Sequence, residues 1–328
     1  MNDSSLSIDI RLASDWASEE MRADMMRSFT GTPIVLPPKW LYDQRGSEIF
    51  SEITRLEEYY PTEAERSLLA QHADEIASLT QADTIVELGS GTSDKTRTLL
   101  DAFSATGQLT KFGPVDVSEE TLRYAAQSLG ERYPDIEIAA LVGDFTRHLP
   151  HLPTGDRRLV AFLGGTIGNF YVEERRAFLG ALADVLQDRE WLLLGFDPKK
   201  DVGKILAAYN DEQGVTARFV RNVLVVINTK LGADFDISEF EFVPLWDGAE
   251  GRIDLRLRSS VPQQISVEDL GLNVKLGEGE EIRVEISTKF SPDQLSKELE
   301  QAGFSVRSVF LADQNEFGLL LAERLPTN

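Results

Sequence analysis

Three acidic residues and a glycine loop stand where a parallel sheet would bind a ligand. Glu87 lies in an apolar run that leads into Gly89 and Gly91, and Asp116 and Asp144 end the next two apolar runs. The carboxyl ends of neighbouring strands line one crevice in a doubly wound sheet, so we expect the three carboxylates to face one ligand. Glycine lets the backbone approach that ligand closely. A lone aspartate after a strand often only caps a turn or helix, but three in phase with a glycine loop favour a nucleotide-shaped cofactor.

The loop itself disfavours a dinucleotide. Asp94 occupies the position of the third glycine of G-x-G-x-x-G, and its charge would repel a pyrophosphate at the start of a helix that we expect near Ser93. S-adenosylmethionine has no phosphate and carries a positive sulfonium, so it fits an acidic loop better. We expect Asp116 to bind the ribose hydroxyls, because a carboxylate accepts two hydrogen bonds.

Two further positions bear on the same ligand. Asp144 would accept a hydrogen bond from the adenine amine, and Phe145 would offer the ring an apolar face. Lys95, expected in the first turn of the helix after the loop, is either a solvated residue or a partner of the methionyl carboxylate. The residue pattern leaves both interpretations open.

Composition excludes several classes of protein. The chain has 328 residues, a net charge of -22 and no cysteine. Its acidity disfavours nucleic-acid binding, and the lack of cysteine removes disulfides and thiolate sites. Of three histidines, His148 and His151 lie in a proline-containing segment without zinc-site spacing, so we expect solvated loop histidines and no metal. There is no membrane-length apolar run and no leader pattern, and we expect a cytoplasmic protein that does not bind membranes.

The order of predicted elements positions these residues. Strands alternate with helices over residues 84–196, and a helix and hairpin follow over 292–323, which predicts an α/β fold with a seven-stranded doubly wound sheet. A helix over 62–79 would begin with a capping box formed by Thr62 and Glu65. Between 199 and 288, two helices over 202–209 and 215–231 precede alternating runs typical of antiparallel strands.

Six motifs distributed along the chain are more specific than the glycine loop. They resemble those of the histidine-specific Nα-methyltransferases of ergothioneine biosynthesis, and the likeness extends from about Pro37 to Glu323. The motifs are Pro38–Asp43, Gly46-Ser47 with Phe50, Glu58–Thr62, Glu87–Thr92 with Lys95, Gly164–Asn169, and Glu285–Phe290.

The resemblance implies a class I, Rossmann-like S-adenosylmethionine methyltransferase that converts L-histidine to its Nα-trimethyl product, hercynine. It also implies a methyltransferase domain of residues 62–198 and 289–328, and an α+β substrate-binding domain of residues 1–61 and 199–288. We expect a monomer whose only partner is its small-molecule substrate.

Carried onto this sequence, the family pattern implies two sets of ligand-binding residues. The methyl donor is assigned to Gly89, Lys95, Asp116, Asp144 and Phe145. For histidine, Asn169 and Tyr209 would hold the carboxylate, Glu285 and Ser287 the imidazole edge, and Tyr59 and Ile286 would complete the site; Tyr42, Phe50, Gly164 and Thr166 would surround the amine.

Physical reasoning agrees with these roles. A carboxylate such as Glu285 gives imidazole a charge-assisted hydrogen bond, although outside the family pattern it would pass for an outward residue of an alternating strand. Aromatic faces at Tyr42 and Phe50 suit an amine that becomes a quaternary cation, and we expect no essential strong base. Leu255 stands where the family pattern has methionine; the swap nearly conserves volume, so we expect little change, while ring selectivity stays open.

Three competing functions are weighed against this one. A methyltransferase for tryptophan or another indole amine would want an apolar wall in place of Glu285 and Ser287. A nicotinamide-dependent oxidoreductase would want the third glycine of the loop. A nucleotide-sensing module would not need the polar and aromatic set of the inserted region.

Overall fold

A computed structural model describes residues 6–326 of the chain. The ends of the two predicted domains, residues 1–5 and 327–328, lie outside the described residues. The strands in the described part are β1 (Leu6–Ile10), β2 (Ile34–Val35), β3 (Thr84–Leu88), β4 (Lys111–Asp116), β5 (Glu137–Val142), β6 (Arg158–Phe162), β7 (Trp191–Phe196), β8 (Phe240–Asp247), β9 (Arg252–Ser259), β10 (Gln263–Val267), β11 (Leu272–Leu276), β12 (Glu281–Thr288), β13 (Phe304–Leu311) and β14 (Gly318–Arg324). The α-helices are α1 (Trp16–Thr30), α2 (Gln44–Ile53), α3 (Pro61–Thr80), α4 (Arg97–Ala105), α5 (Glu119–Arg132), α6 (Val172–Val185), α7 (Val202–Tyr209), α8 (Val215–Leu231) and α9 (Pro292–Gln301).

The chain forms two compact units. Within the described residues, unit 1 comprises 6–13, 61–199 and 289–326, and unit 2 comprises 14–60 and 200–288. Unit 1 contains a sheet of eight strands in the order β1-β5-β4-β3-β6-β7-β14-β13. The first six are parallel, and β14 and β13 are antiparallel to their neighbours. The predicted α/β class with a doubly wound sheet is confirmed.

The predicted number of strands was wrong by one. β1 pairs in parallel with β5, from Leu6 opposite Ile138 to Ile10 opposite Val142. This pairing places residues 6–13 in unit 1, whereas the sequence analysis assigned them to the substrate-binding domain. The segment alternates apolar and polar residues over only five positions, as an edge strand with one exposed side does. Because most of its residues are exposed, the segment lacks the buried apolar run that marks the equally short β3 and β6.

Both faces of the parallel sheet are buried, which explains its continuous apolar runs. Ile85 of β3 packs in a core with helices α3, α4 and α5, whereas its neighbour Val86 packs in a second core with α6 and α9. Glu87 alternates in phase with Ile85, so its carboxylate points into the α3 and α4 side. The carboxyl ends of β3, β4 and β5 are thereby fixed at one edge of the sheet.

Unit 2 is built on a four-stranded sheet in the order β2-β12-β9-β8, with β10 and β11 as a separate pair. Helix α8 packs on the face that carries Ile253, Leu255 and Leu257, and together they form the core of this unit. The helices α7 and α8 have the predicted bounds. The β10–β11 pair, in which alternate residues such as Ile265 and Val267 are buried, was not predicted.

Two predicted helix starts were wrong. Helix α3 begins at Pro61, one residue before the expected cap, and the carboxylate of Glu65 is engaged elsewhere. Helix α4 begins at Arg97 rather than near Ser93. Ser93 has a φ of 54°, in the left-handed region, so the chain makes a further turn before the helix. Lys95 therefore lies in the loop and not in the first turn of the helix.

Candidate active site

The glycine loop of unit 1 is held by the next strand. Gly89 and Gly91 have φ values of 68° and 50°, which other residues rarely adopt. The N–H of Gly91 donates to Oδ2 of Asp116 over 3.0 Å, and the N–H of Ser118 donates to Oδ1 over 3.0 Å. Burial raises the pKa of Asp116, although these N–H groups oppose the shift. Each oxygen keeps a second lone pair, so the carboxylate can still accept from a diol.

The end of β5 carries the residues expected at the adenine. Oδ1 of Asp144 accepts from the N–H and the hydroxyl of Thr146 at 2.8 and 2.6 Å. The Phe145 ring lies 3.6 Å from where a side chain on Gly89 would begin. Unit 1 thus brings the glycine loop and Phe145 into contact distance.

One of the expected loop histidines has a structural role instead. Nδ1 of His148 lies 3.0 Å from the backbone nitrogen of Asp144 and 3.1 Å from its carbonyl oxygen. The imidazole therefore fixes the backbone of a predicted donor-binding residue. The expectation of a solvated histidine was wrong here, because only the folded turn brings residue 148 back onto residue 144.

Glu87 is enclosed beside the loop. Its Oε1 accepts from the hydroxyl of Thr96, and its Oε2 has no hydrogen-bond partner among the described residues. Burial raises the pKa of Glu87 to about 7, against the lowering influence of the Thr96 hydroxyl and the Lys95 charge. The group therefore titrates near neutral pH, unlike an ordinary surface glutamate.

Lys95 forms an ion pair that the sequence analysis missed. Its ammonium contacts Oε2 of Glu65, whose side chain is 1% exposed, and Oε1 of Glu65 accepts the N–H of Gly164 over 2.7 Å. The available signal was helical spacing, since Glu65 shares the buried side of α3 with Leu68 and Leu69. The structure thus joins two predicted positions, 95 and 164, through a third residue.

Unit 2 contains an aromatic cluster, defined as Tyr42, Phe50, Tyr59, Tyr209 and Phe219. Neighbouring rings lie 5.3 to 6.2 Å apart between centroids, mostly edge to face, within the range that favours aromatic pairs. Four members were predicted site residues. Phe219 was not; it belongs to the apolar face of α8, which the sequence showed only as core. The cluster offers several ring faces and edges within one unit.

A β-bulge directs polar side chains toward this cluster. Along β12, Arg283 pairs with Arg256, but the next pair is Glu285 with Leu255, so Val284 is the extra residue. A bulge shifts the alternation by one position, and Glu285 and Ser287 therefore share the face of Leu255.

The contacts of Ser287 and Glu285 agree with their position on this face of the sheet. The Tyr209 hydroxyl donates to Oγ of Ser287 over 2.9 Å. Desolvation first, and then the carboxylate of Glu285 and the hydroxyls of Tyr59 and Tyr209, raise the pKa of Tyr42 well above its usual value, although 42% of the residue is exposed. Ile286 pairs with Asp254 on the opposite face, so only its backbone can meet a ligand bound beside Glu285.

The segment that carries Tyr42 and Phe50 is fixed by its own polar contacts. Asp43 caps α2 by accepting the N–H of Gly46 over 2.7 Å, and it also accepts from the amide of Asn222 over 2.7 Å. A side chain on Gly46 would begin 1.7 Å from the carbonyl oxygen of Leu41. The spacing Asp43-x-x-Gly46 thus serves the close turn that presents the two rings.

The remaining predicted residues belong to unit 1. Thr166 and Asn169 lie in the 3-10 turn Thr166–Asn169 that follows β6, and the Thr166 hydroxyl donates to the carbonyl of Leu163 over 3.0 Å. The predicted histidine-binding residues are therefore distributed over both units. Within residues 6–326, no group of three or more histidine or acidic side chains is arranged to hold a metal ion. The same residues contain no helix long and apolar enough to span a bilayer.

Comparison with known proteins identifies the family. The model of the histidine-specific, S-adenosylmethionine-dependent methyltransferases matches residues 21–324. The chain belongs to this family. It is a methyltransferase that uses S-adenosylmethionine, and the α/β sheet of unit 1 is the class I methyltransferase fold.

Two relatives with curated descriptions are similar over nearly the whole chain, and a third over about two thirds of it. The histidine N-alpha-methyltransferase of Mycolicibacterium smegmatis is 47% identical over 97% of this chain and 99% of its own length. The enzyme of the same description from Mycobacterium tuberculosis is 46% identical with the same coverage. Ergothioneine biosynthesis protein 1 of Schizosaccharomyces pombe is 34% identical over 65% of this chain and 29% of its own length.

Proposed function

We propose that this methyltransferase transfers three methyl groups from S-adenosylmethionine to the α-amino nitrogen of L-histidine, giving hercynine as the first step of ergothioneine biosynthesis. It acts as a cytoplasmic monomer and needs no metal. The observation that carries the proposal is the bulge in β12, which turns Glu285 and Ser287 to the face of the aromatic cluster.

Contacts within unit 1 support the donor assignment. Asp116 takes the ribose hydroxyls, and Asp144 with Phe145 takes the adenine. Lys95 takes the methionyl carboxylate, since its ammonium stands beside the loop residue Gly164. Gly89 leaves room for the nucleoside because its missing side chain would begin 3.6 Å from Phe145. The positive sulfonium of the donor is attracted to this edge of the sheet, because the side chains at the ends of β3, β4 and β5 are mainly carboxylates.

Contacts within unit 2 support recognition of an imidazole. Glu285 accepts the ring N–H in a charge-assisted hydrogen bond, which an amino acid without a ring N–H leaves unmade. Ser287, held by Tyr209 at 2.9 Å, contacts the same ring edge, and the Ile286 backbone completes it. Tyr59 and Tyr209 contribute from the aromatic cluster, with Tyr209 directed at the carboxylate. An indole is larger and more apolar than imidazole and would want an apolar wall where Glu285 and Ser287 stand, so the tryptophan alternative is disfavoured.

The chemistry at the amine is mainly positioning. In-line displacement requires a neutral nitrogen aimed at the methyl carbon from the side opposite sulfur. An ordinary tyrosine is already protonated at neutral pH, and the pKa of Tyr42 is raised further, so the residue acts as a hydrogen-bond donor and an aromatic face, not as a base. Phe50 adds a second face for the growing ammonium. In unit 1, Gly164 and Thr166 keep their proposed roles near the amine, and Asn169 its role at the carboxylate.

The decisive experiment identifies the product. The purified protein is incubated with methyl-labelled S-adenosylmethionine and each common amino acid in turn, and the products are weighed by mass spectrometry. We expect histidine to be the preferred acceptor and to end with three labelled methyl groups. Preferred methylation of tryptophan, or a histidine product that stops at one methyl group when donor is in excess, would overturn the proposal.

A further inference from the structure

Glu65 forms a bridge between two parts of the candidate donor site. Its two carboxylate oxygens have different partners: Oε2 contacts the ammonium of Lys95, and Oε1 accepts the N–H of Gly164 over 2.7 Å. Lys95 belongs to the loop after β3, and Gly164 to the loop after β6. One side chain on α3 therefore holds two loops that meet at the carboxyl edge of the sheet.

The enclosure of Glu65 indicates that this arrangement is specific. The residue is almost completely buried, and a carboxylate is buried at this depth only when it is paired. Gly195, on β7, leaves the space that the carboxylate occupies, since a side chain there would begin 2.5 Å from Oε1. The ammonium of Lys95 is 26% exposed and so remains open on one side.

We propose that Glu65 is a positioning residue for the methyl donor. It fixes the ammonium of Lys95 and the backbone of Gly164. Lys95 is therefore already ordered when it meets the methionyl carboxylate, and binding does not have to pay the conformational entropy of its flexible side chain. The inference rests on the donor role proposed for Lys95. The consequence is selective, because Glu65 acts on the amino-acid end of the donor and leaves the adenosyl end to Asp116 and Asp144.

The test compares two probes that differ at that end. S-adenosylhomocysteine contains the carboxylate, whereas 5′-methylthioadenosine contains only the adenosyl part. Calorimetry on Glu65→Gln should show about tenfold or greater loss of affinity for S-adenosylhomocysteine. The affinity for 5′-methylthioadenosine should stay within about twofold of wild type. Equal losses for both probes, or no loss for either, would overturn the inference.

A matched control separates this effect from general damage. Glu190 is also buried, and it also pairs with a basic side chain and a backbone N–H, those of Arg158 and Gln187. It precedes β7 and so lies at the amino edge of the sheet. Glu190→Gln should leave the ratio of the two affinities unchanged. If Glu190→Gln reproduced the selective loss, Glu65 would have no special role.

A second comparison covers the case in which Glu65→Gln does not fold. Glu65→Asp keeps the charge but is too short to reach both partners, and we expect the same selective loss in weaker form. The methyl-transfer activity of the wild-type protein is measured in parallel, so that a failure of the proposed function can be told apart from a failure of the Glu65 inference. Transfer to an acceptor other than histidine would refute the proposed function and leave this donor test intact.

Discussion

Glu87 has an altered titration that can be measured as stability. Its side chain is buried, and its pKa lies at about 7 instead of 4.5. Between these two values the folded protein keeps the proton that the unfolded chain has lost. The folded state then binds more protons, so the free energy of unfolding falls as the pH rises through this window and levels off above it. A shift of this size corresponds to about 3 kcal/mol.

The substitution Glu87→Gln should remove this dependence. Glutamine keeps an oxygen that accepts from Thr96 and is neutral at every pH. The difference in unfolding free energy, variant minus wild type, should therefore increase by about 3 kcal/mol between about pH 4 and about pH 8. Urea unfolding of both proteins at several pH values measures it, and the subtraction cancels every titration that the two proteins share. A difference that is constant, or that decreases with pH, would refute the reasoning.

Two further substitutions test the proposed ligand-binding residues, and a third tests the packing around Glu65. Glu285→Gln should weaken histidine binding about tenfold, because a charge-assisted hydrogen bond becomes a neutral one; calorimetry should show unchanged S-adenosylhomocysteine binding, and equal losses would count against the assignment. Asp116→Asn should weaken S-adenosylhomocysteine about tenfold, and binding at wild-type strength would exclude a ribose contact. Gly195→Ala should displace Glu65, because its methyl group would begin 2.5 Å from the carboxylate. Thermal unfolding should show a loss of about 1 to 3 kcal/mol, and an unchanged stability would mean that the site relaxes.

The fold could be predicted wherever a helix or strand has a buried apolar pattern. The helices over 202–209 and 215–231 and the strands from 84 to 196 have such patterns, and the structure contains them with nearly the expected bounds. Exposed segments and special backbone conformations were missed. β1 is as short as β3, but most of its residues are exposed, whereas all of β3 is buried. The start of α4 depends on the left-handed Ser93, a backbone choice that residue type alone does not dictate for serine.

Some residues of the candidate site could be predicted from the sequence and others could not. Asp116, Asp144 and the glycine loop follow strands whose order fixes their common edge, so spacing was sufficient to group them. Glu65 was misinterpreted because its position after Thr62 matched a helix cap, and only the packing of α3 reveals its partners. The facing of Glu285 depends on the bulge at Val284. Regular alternation would place Glu285 with Arg283, so the resemblance to a family was needed to single it out.

The central claim is that Glu285 recognises the imidazole of histidine on the face of the aromatic cluster. Nitrogen NMR of ring-labelled histidine, bound to the protein together with S-adenosylhomocysteine, tests it most directly. We expect one ring nitrogen with the signature of an N–H bonded to a carboxylate, and a clear change of that resonance in Glu285→Gln. Identical ring resonances in the wild-type and variant complexes would contradict it.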